Sequence, residues 1–444
     1  MTPEAHAIAE DASGHPELKA SYRYYVLAIL IVVYTFNFVD RQILGILKDS
    51  IQKELALTDT QVGLMGGLAF AALYSTLGLP IAWLADRKSR TWIMTIALTV
   101  WSAFTAACGA ASSFWGLFAM RMGVGVGEAG GVAPAYSLIS DYFPPNQRAR
   151  ALAVYSFGIP IGMSLGILAG GLIAAEVGWR TAFVVVGLVG LVLAPVFKLT
   201  VKDPVRGGFD SAGGAHAKPA AAPFREVART LLPKPSFWLL ALGAASSSVC
   251  GYGVAFWLPT YLQRTHGLTL VETSWYYGVL TLVGGVLGIW LGGALADRYG
   301  RKSKRAYALV PAACFLVALP AFLLALSTDS LTLALLLILI PTGLNLAWLG
   351  PVIAAVQHLA PAHMRSTASA MFLLINNLVG IALGTYYFGW MSDLLKPSFG
   401  ADSMRWAIYS GGAFYFIAAI LLVSASKKLD RDWVGALVPS GRHR

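Results

Sequence analysis

An all-α membrane protein of twelve transmembrane helices in two six-helix halves is the fold class this sequence predicts, and three observations predict it. The 444 residues are 57% hydrophobic and 12% charged, with a mean hydropathy of +0.65, whereas soluble domains carry about 25% charged residues. Apolar runs of roughly the 20 residues needed to cross a bilayer recur along the whole chain. Lys and Arg collect mainly in the loops of one side.

The first run, 24–46, opens on "YYVLAILIVVY" and closes on "FNFVDRQILG". The second, 61–84, ends at the charged loop "AWLADRKSRT", after which the third follows at 92–111. The fourth, 114–139, is glycine-rich, and "PPNQRARALA" separates it from the fifth at 149–174. Gly158, Gly162, Gly166 and Gly170 repeat every four residues in the fifth run, a spacing that lets another helix approach closely. The sixth run, 180–199, ends where Gly, Ala and Pro take over at 200–235. That stretch reads as a flexible linker with one amphipathic turn at 224–232 on the membrane surface. The remaining runs fall at 237–262, 273–296, 306–327, 331–357, 366–391 and 405–426. Their length and their lack of period-2 alternation predict helices rather than strands. The predicted organisation is therefore a first half over 1–199, a linker over 200–235 and a second half over 236–444.

Of the 33 Lys and Arg, 25 fall on the side of the two termini, which places both ends in the cytoplasm. Six fall in the opposite loops (Lys48, Lys53, Arg180, Arg264, Lys396 and Arg405), and Arg41 and Arg121 lie within spans. The net charge of +11 therefore reflects short loops and excludes a nucleic-acid face. Cys108, Cys250 and Cys314 all sit in apolar segments, where they read as small buried hydrophobes rather than disulfides. The polar N-terminus has no apolar core of a signal peptide, so no cleaved leader is expected.

Two loop pairs repeat. "AWLADRKSRT" answers "GALADRYGRK", with Asp86 and Asp297 211 residues apart, and "PPNQRARALA" answers "PAHMRSTASA", with Arg148 and Arg365 217 apart. Nearly one offset at two loops implies duplicated halves. These residues resemble the major facilitator superfamily. Its Gly-x-x-x-Asp-Arg-x-Gly-Arg-Lys signature is complete at Gly293, Asp297, Arg298, Gly300, Arg301 and Lys302, while the first copy has Ala82 and Ser89 at the glycine positions. The resemblance implies a gating latch at Asp86, Arg87, Arg148, Asp297, Arg298, Arg301 and Arg365; the plainer reading is topogenic loop charge. The segments "GVGEA", "DYF", "QRAR" and "IPIG" of 121–171, with Asn-Phe-x-Asp-Arg in the first span, look like the spinster-like transporters. That resemblance implies a lysophospholipid or sphingosine-phosphate-like substrate and, for a bacterial-type member, the inner (plasma) membrane. Organic-anion symporters of the superfamily share similar patterns. One decoy, Gly125-x-Gly127-x-x-Gly130, matches a dinucleotide fingerprint but lies mid-span without a βαβ unit.

Asp40, Arg41, Arg121 and Glu128 form the intramembrane charge set, all in the first half. Ionisable groups at such depth are costly and mark function, although a purely structural ion-pair network is the alternative. Helical rise places Asp40 level with Arg121 and Glu128 about 10 Å deeper on the same face, near Tyr34. Gly125 between them is expected to leave open space for a cavity. An Arg suits a phosphate or carboxylate head group, so Arg41 and Arg121, with Asn37 and Tyr34, are expected to bind substrate. Asp40 and Glu128 are expected to exchange protons. The second half offers Trp257, Asn345, Asn376 and Phe372 as its share of the binding surface. The expectation is a proton-coupled, monomeric transporter of an amphipathic anion without cofactor or metal. A small organic anion or drug is the second reading, and an enzyme or scramblase is disfavoured because no catalytic cluster converges.

Overall fold

The computed structural model describes residues 20–85, 87–204, 224–300, 303–361 and 364–434, and among these every regular element is helical. Helix α1 (Ala20–Leu55) is one unbroken rod. Helices α2 (Asp59–Gly66) and α3 (Leu68–Ala85) make the second rod, and α4 (Arg90–Cys108) the third. Helices α5 (Phe114–Glu128) and α6 (Val132–Tyr142) form the fourth. Helices α7 (Pro145–Ser156) and α8 (Gly158–Thr200) carry the fifth and sixth, because α8 turns back at Gly178, whose φ of +84° suits only glycine. After α9 (Phe224–Leu231) come α10 (Pro235–His266), α11 (Leu270–Gly300) and α12 (Ala306–Ser327). Helices α13 (Leu331–Leu344) and α14 (Leu349–His358) share a rod, α15 (Arg365–Phe399) stands alone, and α16 (Ser403–Ser410) with α17 (Gly412–Asp432) completes the set.

Nine helical stretches among the described residues are long and apolar enough to cross a membrane. Two of these, Arg150–Thr200 and Thr367–Asp432, contain 51 and 66 residues and are folded back on themselves. The Phe114–Tyr142 pair, interrupted at 129–131, carries the buried Arg121 and Glu128. Dividing the two long stretches and adding this pair is consistent with the twelve apolar runs of the sequence.

The elements differ from expectation at two places that matter for function. Helix α1 runs to Leu55, so Lys48 and Lys53 lie on a helix rather than in a loop, and Lys48 is fully buried. Helix α9 does form over the expected amphipathic turn, but Val227 and Leu231 are buried in the core with α15 and α10 residues rather than offered to lipid.

Close backbone approach organises the packing. A Cβ on Gly162 would lie 2.3 Å from the Thr35 carbonyl oxygen, and one on Gly166 would lie 2.9 Å from Val39, so the four-residue repeat of α8 is the seat of α1. The α1–α8 and α10–α17 bundles meet where α8 packs on α11 and where α2 and α3 pack on α15. Outward-facing Trp115, Leu199 and Trp290 are exposed apolar groups of the kind a bilayer covers.

Candidate functional site

The buried charges of the first bundle come together, but not in the pairing that depth alone suggests. Arg41 Nε donates to Glu128 Oε2 at 2.7 Å, and the Glu128 side chain is fully buried. Arg121 is also buried and donates through Nη1 to the main-chain carbonyl of Asp40 at 3.2 Å, rather than to its carboxylate. The guanidinium of Arg41 lies over the rings of Tyr74, Phe70 and Phe38 at 4.6, 4.7 and 5.0 Å. Such faces stabilise a desolvated cation by about 0.5–2 kcal/mol each. Asn37 is buried beside Glu128, and Thr105 beside Asp40. The space expected at Gly125 is absent, since a Cβ there would lie 2.6 Å from the Phe70 carbonyl oxygen. The glycine serves α3–α5 contact, and the cavity lies elsewhere.

That cavity has two chambers. The smaller, about 70 Å³, is lined by Arg41, Arg121, Gln42, Phe70, Phe256 and Thr385 among others. The larger, about 170 Å³, is largely apolar and reaches Phe322, Leu326 and Ile338, with Asn345, Asn376 and Asn377 as polar points. Phe38, Met163, Tyr252 and Ala255 line both. Of the residues expected to bind substrate, Arg41, Arg121, Asn345 and Asn376 therefore face a chamber. Three do not. Tyr34 stacks on Tyr155 at 4.3 Å behind Phe38, and Phe372 is buried against Trp348. Trp257 is buried with its indole N–H donating to the Thr385 carbonyl at 2.8 Å. Residue type could not separate these packing aromatics from cavity aromatics such as Tyr252 and Phe38.

One end of the bundle is closed by a polar clasp that the sequence reading missed. Arg264, at the end of α10, donates to Asp59 Oδ2 at 2.9 Å, Asp49 Oδ1 at 3.1 Å and Gln52 Oε1 at 2.9 Å. Asp59, almost wholly buried, also accepts from Gln52 Nε2 and Ser392 Oγ. Asp393 of α15 accepts from the backbone N–H groups of Asp59 and Thr60 at 3.2 and 2.7 Å, adding a cap from the other bundle to the first turn of α2. Thr260 and Thr385 close the seam with bonds to Asp49 and to the Gly63 carbonyl. These groups looked like loop charges because the first apolar run was ended some nine residues before α1 ends.

At the opposite end, Arg90 anchors the chain beyond α8. Its Nε donates to Asp203 Oδ1 at 2.9 Å, its Nη2 to the Pro204 carbonyl at 2.8 Å, and its Nη1 to Asp141 and Ser137. Burial pushes the Asp203 carboxyl up, but the hydrogen bonds and charge of Arg90 outweigh it and hold the group below the usual carboxylate range. Of the latch residues expected from the loops, Asp86 and Arg301 lie outside the described residues, as does the side chain of Asp297. Arg87 is exposed over the Trp83 ring at 4.0 Å, Arg148 donates to the Phe143 carbonyl, and Arg298 is exposed. Arg365 is half-buried at the start of α15. The signature is thus present in sequence, and no latch contact is described at it.

Helices that pass through a bilayer and enclose a cavity lined by two arginines, with two acids buried beside them, define a membrane transporter. The comparisons are specific. The Major Facilitator Superfamily profile matches residues 30–385. An MFS-type efflux pump of Mycolicibacterium smegmatis is 34% identical over 97% of this chain and 98% of its own. Protein spinster homolog 1 of Xenopus tropicalis is 30% identical over 95% of this chain and 85% of its own. A crystal structure of a bacterial homolog to the human lysosomal transporter spinster, inward-facing and unoccupied, is 31% identical with a TM-score of 0.85, covering 94% of this chain and 99% of that one. The chain belongs to the major facilitator superfamily and, within it, to the spinster-like transporters; it is a transporter and not an enzyme.

Proposed function

We propose that this protein is a secondary active transporter that moves an amphipathic anion, a lysolipid or sphingosine-phosphate-like molecule, by alternating access coupled to protons. The observation that carries this reading is the pair of chambers with a common wall: two guanidinium groups line the small one, and the large one is apolar. An anionic head group suits the first, since Arg offers a planar fork to phosphate or carboxylate. A single hydrocarbon chain suits the second. The bundles move as the units 1–199 and 236–444 about the linker, with the linker end cytoplasmic, a reading the Lys and Arg count supports.

Coupling follows from the Arg41–Glu128 pair. An anion that engages Arg41 competes with Glu128 for the same guanidinium, and a carboxylate left alone at that depth takes up a proton. Asp40, buried one residue from Arg41, is the second proton site. The protein acts as a monomer in the inner membrane. A smaller organic anion or drug is the second reading, favoured by the likeness to an efflux pump.

The test is flux into proteoliposomes across a panel of single-chain phosphate lipids and small organic anions, with and without a pH gradient. Arg121→Ala is expected to lower transport of the anionic lipids at least about tenfold, a barrier change of about 1.4 kcal/mol. Arg121→Lys should restore only part of it, because a point charge replaces a fork. Wild-type flux in Arg121→Ala would remove the head-group role. Preference for the small anions would move the reading to the second class.

A further inference from the structure

Lys48 is fully buried, and it does not behave as a lysine near a helix end should. A lysine close to a membrane surface sends its long side chain outward to water. Here Nζ turns back along α1 and donates to the Gly45 carbonyl at 2.6 Å. It comes to rest 5.3 Å from the Phe256 ring centroid and 5.5 Å from that of Trp257. No ion pair to Lys48 is present among the described residues. The charges whose field reaches it, Asp49, Asp59 and Arg264, are bonded to one another in the clasp.

Its position explains what it could serve. Lys48 follows Arg41 by seven residues, two helical turns on the same face and about 10 Å nearer the clasp. Phe256, whose ring it touches, is also a wall of the small chamber that holds Arg41 and Arg121. That ring is wedged against α1 and α2: a Cβ on Gly66 would lie 2.5 Å from it and one on Gly45 would lie 3.5 Å away. One aromatic ring thus separates the two-arginine chamber from a third cation, which has the clasp charges Asp49, Asp59 and Arg264 near it.

We propose that Lys48 is a second anion-binding station, reached when Phe256 moves aside, which receives the anionic group of the substrate between the Arg41–Arg121 chamber and the clasp end. The proposal rests on the anionic-substrate reading above. Phe256 is the plug: while the clasp is shut, it shields the ammonium from the chamber. When the bundles part at the clasp, α10 carries Phe256 away from α1, and Lys48 meets the head group two turns along its path. A ladder of cations on one face of α1 keeps the anion from crossing the seam unpaired, where desolvation costs most.

The experiment compares Lys48→Met, Lys48→Arg, Phe256→Ala and Arg121→Ala, each first checked for a monodisperse, folded population. Two quantities are read: binding of fluorescent lysophosphatidate to the solubilised protein, and its flux in proteoliposomes, with a monoacylglycerol as uncharged control. Lys48→Met is expected to bind the lysophosphatidate within about twofold of wild type while its flux falls at least about tenfold. Lys48→Arg should recover most of the flux, which a purely structural lysine wedged between rings would not allow. Phe256→Ala should bring lysophosphatidate binding up or speed flux, and this second variant keeps the test decisive if Lys48→Met fails to fold. Normal flux in Lys48→Met beside a lost flux in Arg121→Ala would overturn the station and leave the anionic reading standing. Normal flux in both would remove the anionic reading itself.

Discussion

On the proton-coupled reading, Glu128 is where coupling can be separated from binding, because it accepts from Arg41 through Oε2 while Oε1 is buried beside Asn37. Glu128→Gln fixes the neutral form. Substrate binding is expected to persist while flux driven by a pH gradient falls at least about tenfold; flux against external pH in proteoliposomes checks it, and an unchanged pH profile would move the proton to Asp40. A different acid governs stability. Asp203 has its folded pKa below its unfolded one, so its contribution is present at neutral pH and is lost as pH falls through the carboxylate range toward the folded value. Asp203→Asn should therefore lower the melting temperature at pH 7 by a loss of about 1 kcal/mol, as for a partly exposed pair, and should flatten the acid side of the stability profile. The four intramembrane charges were legible in sequence because a bilayer makes any such residue conspicuous. Their pairing was not, since helical rise orders residues by depth but does not say which way α1 and α5 face each other.

At the scale of the helix, the glycine repeat of α8 was legible, because a four-residue spacing of small residues has few other uses within a span. Its partner was not, and it proves to be α1, which carries Asp40 and Arg41. Helix ends were the least legible feature. Hydropathy falls at Lys48-Asp49, so the run looked finished, yet the helix continues and brings Asp49 and Gln52 to Arg264. Polar residues that are satisfied by another bundle look from sequence like residues satisfied by water. The α1–α8 seat can be tested directly. Gly162→Val places branched carbon against the Thr35 backbone, which cannot yield as a flexible side chain would. Overpacking of this kind costs about 1–3 kcal/mol. The variant is expected to melt several degrees lower in detergent, and to lose flux, because displacement of α1 moves Arg41 away from Glu128. A melting temperature equal to wild type would mean that the two helices separate there without cost.

For the whole molecule, the clasp and the loop signature sit at opposite ends and should bias alternating access in opposite directions. The clasp gathers three acids, Asp49, Asp59 and Asp393, around one arginine and the first turn of α2. Removal of Arg264 leaves Asp59 buried beside Asp49 without its cation, a like-charge arrangement that opening to water relieves. Arg264→Ala is therefore expected to favour the state open at the clasp, and each 1.4 kcal/mol taken from the closed state shifts the ratio about tenfold. Asp297→Asn, at the signature loop, should favour the state open at the linker end, and the double variant should fall between the two. The native cysteines are buried, so a background with all three replaced by serine and a single Gln42→Cys reports from the small chamber. A membrane-impermeant maleimide is applied from one side of oriented vesicles at a time. With the clasp intact, labelling should come from the linker end; in Arg264→Ala it should rise from the clasp end, and in the double variant it should be divided. If Arg264→Ala labels as the parent does, the clasp is a static brace, and the barrier to opening lies in the α2–α15 glycine seam, where Gly63→Ala, its Cβ 2.5 Å from the Thr385 carbonyl oxygen, becomes the variant that should part the bundles.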